Sequence, residues 1–175
     1  MHKKGDHAGG FDARYLLQPA LDGHALGLVS EAGMPAVADP GSSVVRAAHD
    51  LGIEVVPLVG PVSLLLALAA SGLNGQNFAF VGYLPQDAGE RAARLKQLET
   101  LALKTGQTQL WIETPYRNPA MMGALLATLQ PGTRLAVASG LTLASAAIVS
   151  RSVAEWKRAG CGPDADTPAV FALGA

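Results

Sequence analysis

The stretch HALGLVSEAGMPAVADPG, residues 24–41, joins a short apolar segment to a loop rich in glycine, proline and acidic residues. Residues 24–30 are apolar on both faces, which is typical of a central strand in a parallel sheet. Open parallel sheets bind ligands at the carboxyl ends of their strands, where glycine lets the backbone approach closely. The stretch therefore predicts an α/β fold with a first candidate binding loop at residues 30–41.

Strands, loops and helices alternate along the rest of the chain as well. A second tight loop at residues 59–61 precedes Ser63, the predicted N-cap of a short apolar helix. After Gly82 the sequence changes abruptly to polar and turn-forming residues, so we predict two domains, residues 1–82 and 83–175. The predicted helices cover residues 12–22, 42–49, 64–70, 90–103, 118–129 and 153–158. The predicted strands cover residues 24–30, 54–58, 78–83, 109–113, 134–138, 146–151 and 169–173.

The composition indicates a globular protein with additional buried surface. Of the 175 residues, 49% are apolar and only 15% are charged, which excludes a disordered chain. Thirteen basic and fourteen acidic residues leave a net charge of −1, so no general field attracts a polyanion, although a local basic patch is compatible with this balance.

Cysteine usage and the absence of long apolar segments favour a cytoplasmic protein. Cys161 is the one cysteine and cannot form an intramolecular disulfide, which favours a reducing compartment. The longest apolar stretch, residues 53–70, is interrupted by Pro57, Gly60 and Pro61, far short of the roughly 20 apolar residues of a membrane helix. We therefore expect neither export nor a membrane partner.

Three segments occur in a fixed order: VSEAGMP with DPG at residues 29–41, VPLVGP with AASGL at 56–73, and GYLP at 82–85. Together they resemble the tetrapyrrole (corrin/porphyrin) methylase superfamily, and within it the bacterial branch of ribosomal RNA small-subunit methyltransferase I. That branch consists of cytidine ribose 2′-O-methyltransferases. The resemblance is strongest over residues 26–84 and continues more weakly through ETPYR at 113–117.

This resemblance implies two α/β domains with a cleft for S-adenosyl-L-methionine between them, and a homodimer that acts on RNA of the small ribosomal subunit. The family's opening strands and glycine-rich loop have no counterpart here, so we expect an incomplete first domain, from a fragment or a late assigned start. The implied cofactor contacts are Gly33, Met34, Pro35 and Val37 in the first loop, Ser63 and Leu64 in the second, and Ile112, Ala138 and Pro168 further along the chain.

Transfer of a methyl group to a ribose hydroxyl is helped by a general base. The candidates are Glu31 and Glu113, with His7 as an alternative, and we select Glu113 with Arg117 as the catalytic pair. Two other interpretations stay open: Glu113 is a strand-end carboxylate paired with Arg117, or Arg117 holds an RNA phosphate. No metal is needed, since a sulfonium is already an activated methyl donor.

Two positions depart from the ribosomal RNA branch. Tyr116 stands where that branch has histidine, and SGLTL at residues 139–143 lacks the branch's acidic and basic pair. Two alternatives are therefore kept. One is a C-methyltransferase that acts on a small-molecule tetrapyrrole, and the other is a non-catalytic module that binds the cofactor or a partner.

The remaining polar and aromatic residues favour ordinary structural roles. The four histidines show no metal-ligand spacing, so we expect no metal site. The basic residues of the helix at 90–103 are expected to form a solvated face rather than an RNA-binding one. The aromatic residues expected in the core or at an interface, rather than stacked on bases, are Trp111, Tyr116 and Trp156.

Overall fold

The computed structural model describes residues 13–175, which form two compact units. One unit ends at Val62, and the other runs from Ser63 to Ala175. Residues 63–82 therefore belong to the same unit as the later part of the chain. The division into domains 1–82 and 83–175 stays a prediction, because a domain is defined by its ability to fold alone and not by packing only.

The described part of the first unit contains helices α1 (Ala13–Leu16), α2 (Gln18–Leu21) and α3 (Ser42–Asp50). The last of these confirms the helix predicted at 42–49. The helix predicted at 12–22 is split at Leu17, because Pro19 lies in the first turn of α2, where its missing N–H needs no partner. Residue 12 lies outside the described residues. Contacts of Ala13 and Leu17 with Ala47 and Ala48 form a small core.

The segments 24–30 and 54–58, predicted as buried strands, form no strand in the described structure. A strand requires a neighbour whose backbone N–H and C=O groups pair with its own, and neither segment is paired with a described strand. Apolar side chains are consequently exposed there, as at Val29, Val56 and Leu58. The prediction was wrong because an apolar pattern identifies a segment but not its partner.

The second unit confirms the other predicted elements, with ends shifted by a few residues. Asp87 accepts a hydrogen bond from the Glu90 N–H (2.9 Å) at the start of α5, and Gly106 ends that helix in a left-handed conformation. The elements are α4 (Ser63–Ser71), β1 (Phe78–Phe80), α5 (Ala88–Thr105), β2 (Thr108–Glu113), a 3-10 turn (Pro115–Arg117), α6 (Asn118–Thr128), β3 (Arg134–Ser139), β4 (Ala147–Ser152), α7 (Val153–Ala159) and β5 (Ala169–Gly174).

The five strands form one mixed sheet in the order β1-β2-β5-β3-β4. β1 is parallel to β2, whereas β5 is antiparallel to both of its neighbours. Strands β1, β2 and β3 therefore run in the same direction and end at one edge of the sheet, at Phe80, Glu113 and Ser139. We call this edge the carboxyl edge.

The main core lies on one face of the sheet, under α5 and α6. There the rings of Trp111 and Phe171 stack with centroids 5.7 Å apart, next to Leu95, Leu98 and Leu125. Because side chains alternate along a strand, Ile112, one residue from Trp111, faces the opposite side.

Helix α4 packs against β3, β4 and β5. Its C-terminal end lies at the edge opposite the carboxyl edge, because Leu73 packs against Gly174, where an added Cβ would meet Leu73 Cδ2 at 2.8 Å. The Thr108 hydroxyl also donates to the Asn74 carbonyl there (2.9 Å). Ser63 and Leu64 begin α4, about 12 Å along the helix axis from its C-terminal end.

Candidate functional site

Three strands bring an apolar row together at the carboxyl edge. In the strand register, Ile112 of β2 is opposite Val170 of β5, and Val170 is opposite Ala138 of β3. Direct cross-strand neighbours have Cα atoms about 5 Å apart and share one face of the sheet. The Ile112 N–H also donates to the Gly82 carbonyl (3.1 Å), so the GYLP segment begins beside this row.

Pro168 lies next to the same row, just before β5. Its carbonyl accepts a hydrogen bond from the Gly140 N–H (3.1 Å), which joins the β3–β4 connection to the segment that leads into β5. The structure therefore brings together Ile112, Ala138 and Pro168, which are far apart in the sequence. Ser63 is exposed and Leu64 is buried, in the first turn of α4.

Asn118 holds the connection between α7 and β5 at this edge through hydrogen bonds. Its buried side-chain amide donates to the carbonyls of Asp164 (3.0 Å) and Thr167 (2.9 Å), and its Oδ1 has no hydrogen-bond partner. This role of Asn118 was not predicted from the sequence. The helix predicted at 118–129 carried no signal for it, because the groups that Asn118 contacts lie 46 and 49 residues further along the chain.

Asp164 shapes the turn that leads to Pro168. Its carboxylate accepts hydrogen bonds from the Asp166 N–H (3.0 Å) and from the N–H (2.6 Å) and hydroxyl (3.0 Å) of Thr167. These donors, led by the Asp166 N–H, hold the pKa of the Asp164 carboxyl below its usual range.

Glu113 and Arg117 form an ion pair, as one of the open interpretations predicted. Arg117 Nη2 lies 3.1 Å from Glu113 Oε2, and the Glu113 side chain is fully buried while that of Arg117 is 15% exposed. The two groups are not aligned as a hydrogen bond. Glu113 Oε1 accepts from the Thr114 N–H (2.9 Å). By strand alternation, Glu113 faces the side of the main core, opposite to Ile112.

The aromatic residues divide into two groups. Trp111 and Trp156 are buried, which confirms the prediction that they belong to the core. Tyr116 is 70% exposed and does not lie in the core, so of its two predicted places only the interface stays a prediction. The reason is local: Tyr116 lies in the 3-10 turn Pro115–Arg117, beyond the end of β2.

The predicted cofactor loop of the first unit is compact and strained. The Val37 N–H donates to the Met34 carbonyl (3.2 Å), and the Ala36 N–H donates to the Pro40 carbonyl (3.3 Å). Ala36 and Ala38 have φ values of 65° and 57°, a left-handed conformation that side chains rarely adopt. Non-glycine residues in this conformation often mark ligand-binding loops. The structure thus holds Met34, Pro35 and Val37 within one tight turn, directly after Gly33.

An open depression of about 390 Å³ lies beside this loop. Glu31, Asp39 and Gly41 line it, together with apolar residues. Glu31 is exposed.

His7, the third candidate base, lies outside the described residues. Within residues 13–175, no three His, Cys, Asp or Glu side chains are placed to hold a metal ion.

The basic residues at the start of α5 form hydrogen bonds within their own helix and with the loop before it. Arg91 donates to the carbonyls of Pro85 (3.4 Å) and Gln86 (2.9 Å), and Arg94 donates to Gln97 (3.4 Å). Both arginines are half-buried, so the solvated face predicted for this helix is confirmed only at Lys96, which is exposed. None of the described helices is both long and apolar enough for a membrane span.

Curated relatives share much of the sequence. The chain is 36% identical over 137 residues to the ribosomal RNA small subunit methyltransferase I of Mesorhizobium japonicum, covering 78% of this chain and 45% of the relative. It is 33% identical over 150 residues to the protein of the same name from Vibrio cholerae, covering 86% of this chain and 51% of the relative. The chain thus spans about half the length of the curated relatives that it matches.

Solved structures share the fold. The methyltransferase CobJ superposes with a TM-score of 0.58 at 22% identity, covering 93% of this chain and 69% of that protein. Uroporphyrin-III C-methyl transferase from Thermus thermophilus, complexed with S-adenyl homocysteine, gives 0.52 at 22% identity and covers 93% and 71%. Residues 3–156 match the profile of the Tetrapyrrole (Corrin/Porphyrin) Methylases. With this match over most of its length, the chain belongs to the tetrapyrrole methylase family, a family of S-adenosylmethionine-dependent methyltransferases.

Proposed function

We propose that this chain belongs to an enzyme that transfers a methyl group from S-adenosyl-L-methionine to a ribose 2′-hydroxyl of small-subunit ribosomal RNA. The observation that carries the proposal is the apolar row at the carboxyl edge. The family resemblance implies Ile112 and Ala138 as cofactor contacts, and they lie in β2 and β3 with β5 between them, while Pro168 lies just before β5. The relatives with more than 30% identity, named as ribosomal RNA methyltransferases, support RNA as the substrate.

The residues present suit a nucleoside cofactor. The proposed contacts in the first unit are Gly33, Met34, Pro35 and Val37, whose tight turn offers backbone groups at a place where glycine permits close approach. In the second unit they are Ser63, Leu64, Ile112, Ala138 and Pro168, which are uncharged. Glu31 and Asp39 put negative charge beside the first loop, which favours a cationic ligand.

When bound, S-adenosylmethionine supplies a methyl group already activated by its sulfonium. The protein then has to align donor and acceptor and to exclude water. Ile112 is partly exposed and offers apolar surface for this task, and Ala138 is buried in the same row. Glu113 and Arg117 stay our candidates for the catalytic pair, and their ion pair also supports a positioning role, in which Glu113 holds the turn after β2 through Arg117.

Our proposal includes a cytoplasmic homodimer. The low fraction of charged residues supports further covered surface. Light scattering after gel filtration is expected to give twice the 17.9 kDa chain mass. A mass equal to that of one chain would contradict the dimer.

The activity is tested with radiolabelled S-adenosylmethionine and small ribosomal subunits from a strain that lacks the corresponding methyltransferase. We expect label in the RNA, in a nucleotide whose 2′-oxygen carries the methyl group after nuclease digestion. Label in a tetrapyrrole and none in RNA would replace the substrate by the alternative kept from the sequence. Absence of label in both would contradict the proposed activity.

A further inference from the structure

Tyr116 is an exposed aromatic side chain that the function described so far does not use. The ring is 70% exposed, whereas Trp111 and Trp156 in the same unit are buried. A large aromatic ring gains little from a fully hydrated position, so a ligand that covers it would stabilise it. The residues around Tyr116 indicate which kind of ligand would cover the ring.

The backbone that carries Tyr116 is held on both sides. Glu113 accepts the Thr114 N–H (2.9 Å), and the Arg117 N–H donates to the Thr114 carbonyl (2.9 Å). The Arg117 side chain pairs with the buried carboxylate of Glu113 (3.1 Å). Pro115 fixes one further dihedral angle in the turn. A ring on such a support loses little conformational entropy when a ligand covers it.

Tyr116 also lies close to the proposed cofactor contacts. It follows Glu113 by three residues, and Glu113 is directly next to Ile112 in β2. Asn118, two residues after Tyr116, is tied to the segment that leads to Pro168. The turn that carries Tyr116 is thus fastened to the carboxyl edge on both of its sides.

The charge near Tyr116 disfavours a phosphate as its ligand. Arg117, the adjacent cation, is neutralised by Glu113. Residues 139–143 on the neighbouring connection carry no charge. Where the adjacent cation is already paired, an aromatic ring recognises a planar group, and every nucleobase offers such a face.

We propose that Tyr116 stacks on an unpaired base of the RNA substrate and so selects single-stranded over duplex RNA. The proposal rests on the function proposed above. Sequence-specific RNA recognition targets unpaired bases that stack on aromatic side chains, because an A-form duplex hides their faces. The tyrosine therefore acts as a specificity-determining residue rather than as an acid or base.

The test measures binding of the chain to a fluorescein-labelled single-stranded RNA and to the corresponding duplex. The RNA has about 12 nucleotides, within the range of about 4–16 nucleotides that single-strand-binding OB folds cover. Tyr116→Ala is expected to weaken single-strand binding about 10-fold, because loss of one stacked base typically costs that much. Tyr116→Phe keeps the ring and is expected to stay within about twofold of wild type. Tyr15→Ala removes an 83% exposed tyrosine of the first unit and serves as the matched control.

A second readout reports on stacking directly. In Tyr116→Trp, the new indole is exposed while Trp111 and Trp156 stay buried, so RNA should quench the added fluorescence. Equal binding by wild type and Tyr116→Ala overturns the inference. An equal loss in Tyr116→Phe and Tyr116→Ala also overturns it, because the hydroxyl would then be the essential group.

An assay of methyl transfer distinguishes failure of this inference from failure of the proposed function. If RNA is methylated and Tyr116→Ala leaves the KM for RNA unchanged, the inference fails and the proposed function stands. If RNA binds through Tyr116 but no methyl group is transferred, the inference stands and the proposed activity fails. Binding of a porphyrin, seen as an absorption shift lost in Tyr116→Ala, without RNA binding overturns both.

Discussion

Substitutions in the buried ion pair of Glu113 and Arg117 can distinguish a structural role of Glu113 from a catalytic one. If the pair holds the turn after β2, Glu113→Gln leaves Arg117 without its partner and lowers the free energy of unfolding by about 2 kcal/mol. The double variant Glu113→Gln/Arg117→Met removes the unpaired cation and should recover about half of this loss. Urea unfolding measures both. Unchanged stability together with lost methyl transfer would instead assign Glu113 to catalysis.

The Asp164 carboxylate makes the turn before Pro168 sensitive to pH. Its pKa is lower in the folded chain than in the unfolded one, because Asp166 and Thr167 donate hydrogen bonds to the ionised form. Its contribution to stability is therefore complete above the unfolded pKa and is lost as the pH falls through the folded pKa. NMR titration of the Thr167 amide should show a midpoint below that of a free aspartate, and Asp164→Asn should abolish the transition. A midpoint at or above the free value would contradict these hydrogen bonds.

Gly41 has a conformation that the cofactor loop requires. Its φ is 133°, and an added Cβ would lie 3.1 Å from Leu28 Cδ2 and 3.4 Å from the Ala36 nitrogen. Strain of this kind costs about 1–2 kcal/mol, so Gly41→Ala should weaken binding of S-adenosylhomocysteine up to about 10-fold in calorimetry. Gly27→Ala is the matched control, since nothing lies within 4 Å of its added Cβ. Equal affinities for the two variants would remove this loop from the site.

Among the helices and their connections, Glu99 links α5 to the loop before β3. It is buried and accepts hydrogen bonds from the Gln130 N–H (2.8 Å) and the Thr133 hydroxyl (2.5 Å). Glu99→Ala leaves both donors without a partner and should lower the free energy of unfolding by about 2–3 kcal/mol. Thr100→Ala, at the adjacent exposed position, should change it by less than about 0.5 kcal/mol. Similar losses in denaturant unfolding for both variants would show that Glu99 has no such role.

Elements of the second unit could be predicted because each carries its own signal. The apolar spacing of α5 and the buried segments of β2, β3 and β5 identify themselves without knowledge of their neighbours. Residues 24–30 and 54–58 have an equally clear apolar pattern but form no strand, because a strand depends on a partner that the segment's own sequence does not specify. The antiparallel placement of β5 between β2 and β3 also depends on long-range pairing, which periodicity does not report.

For the molecule as a whole, the candidate site could be located from sequence only through the family motifs. Ile112, Ala138 and Pro168 carry no chemical signature of their own, and only the sheet register shows that they meet. The link from Asn118 to the Pro168 segment and the exposure of Tyr116 arise from tertiary structure, so the residues alone did not indicate them. The Glu113–Arg117 pair could be predicted from the sequence because residues four apart around a tight turn lie close together.

The central claim is that this chain carries the binding residues for S-adenosyl-L-methionine. Calorimetric titration of S-adenosylhomocysteine into the chain, with its mass confirmed beforehand, tests this most directly. We predict saturable binding with one site per chain, weakened in Gly41→Ala and kept in Gly27→Ala. A titration of the folded chain that shows no saturable heat at millimolar ligand would contradict the claim.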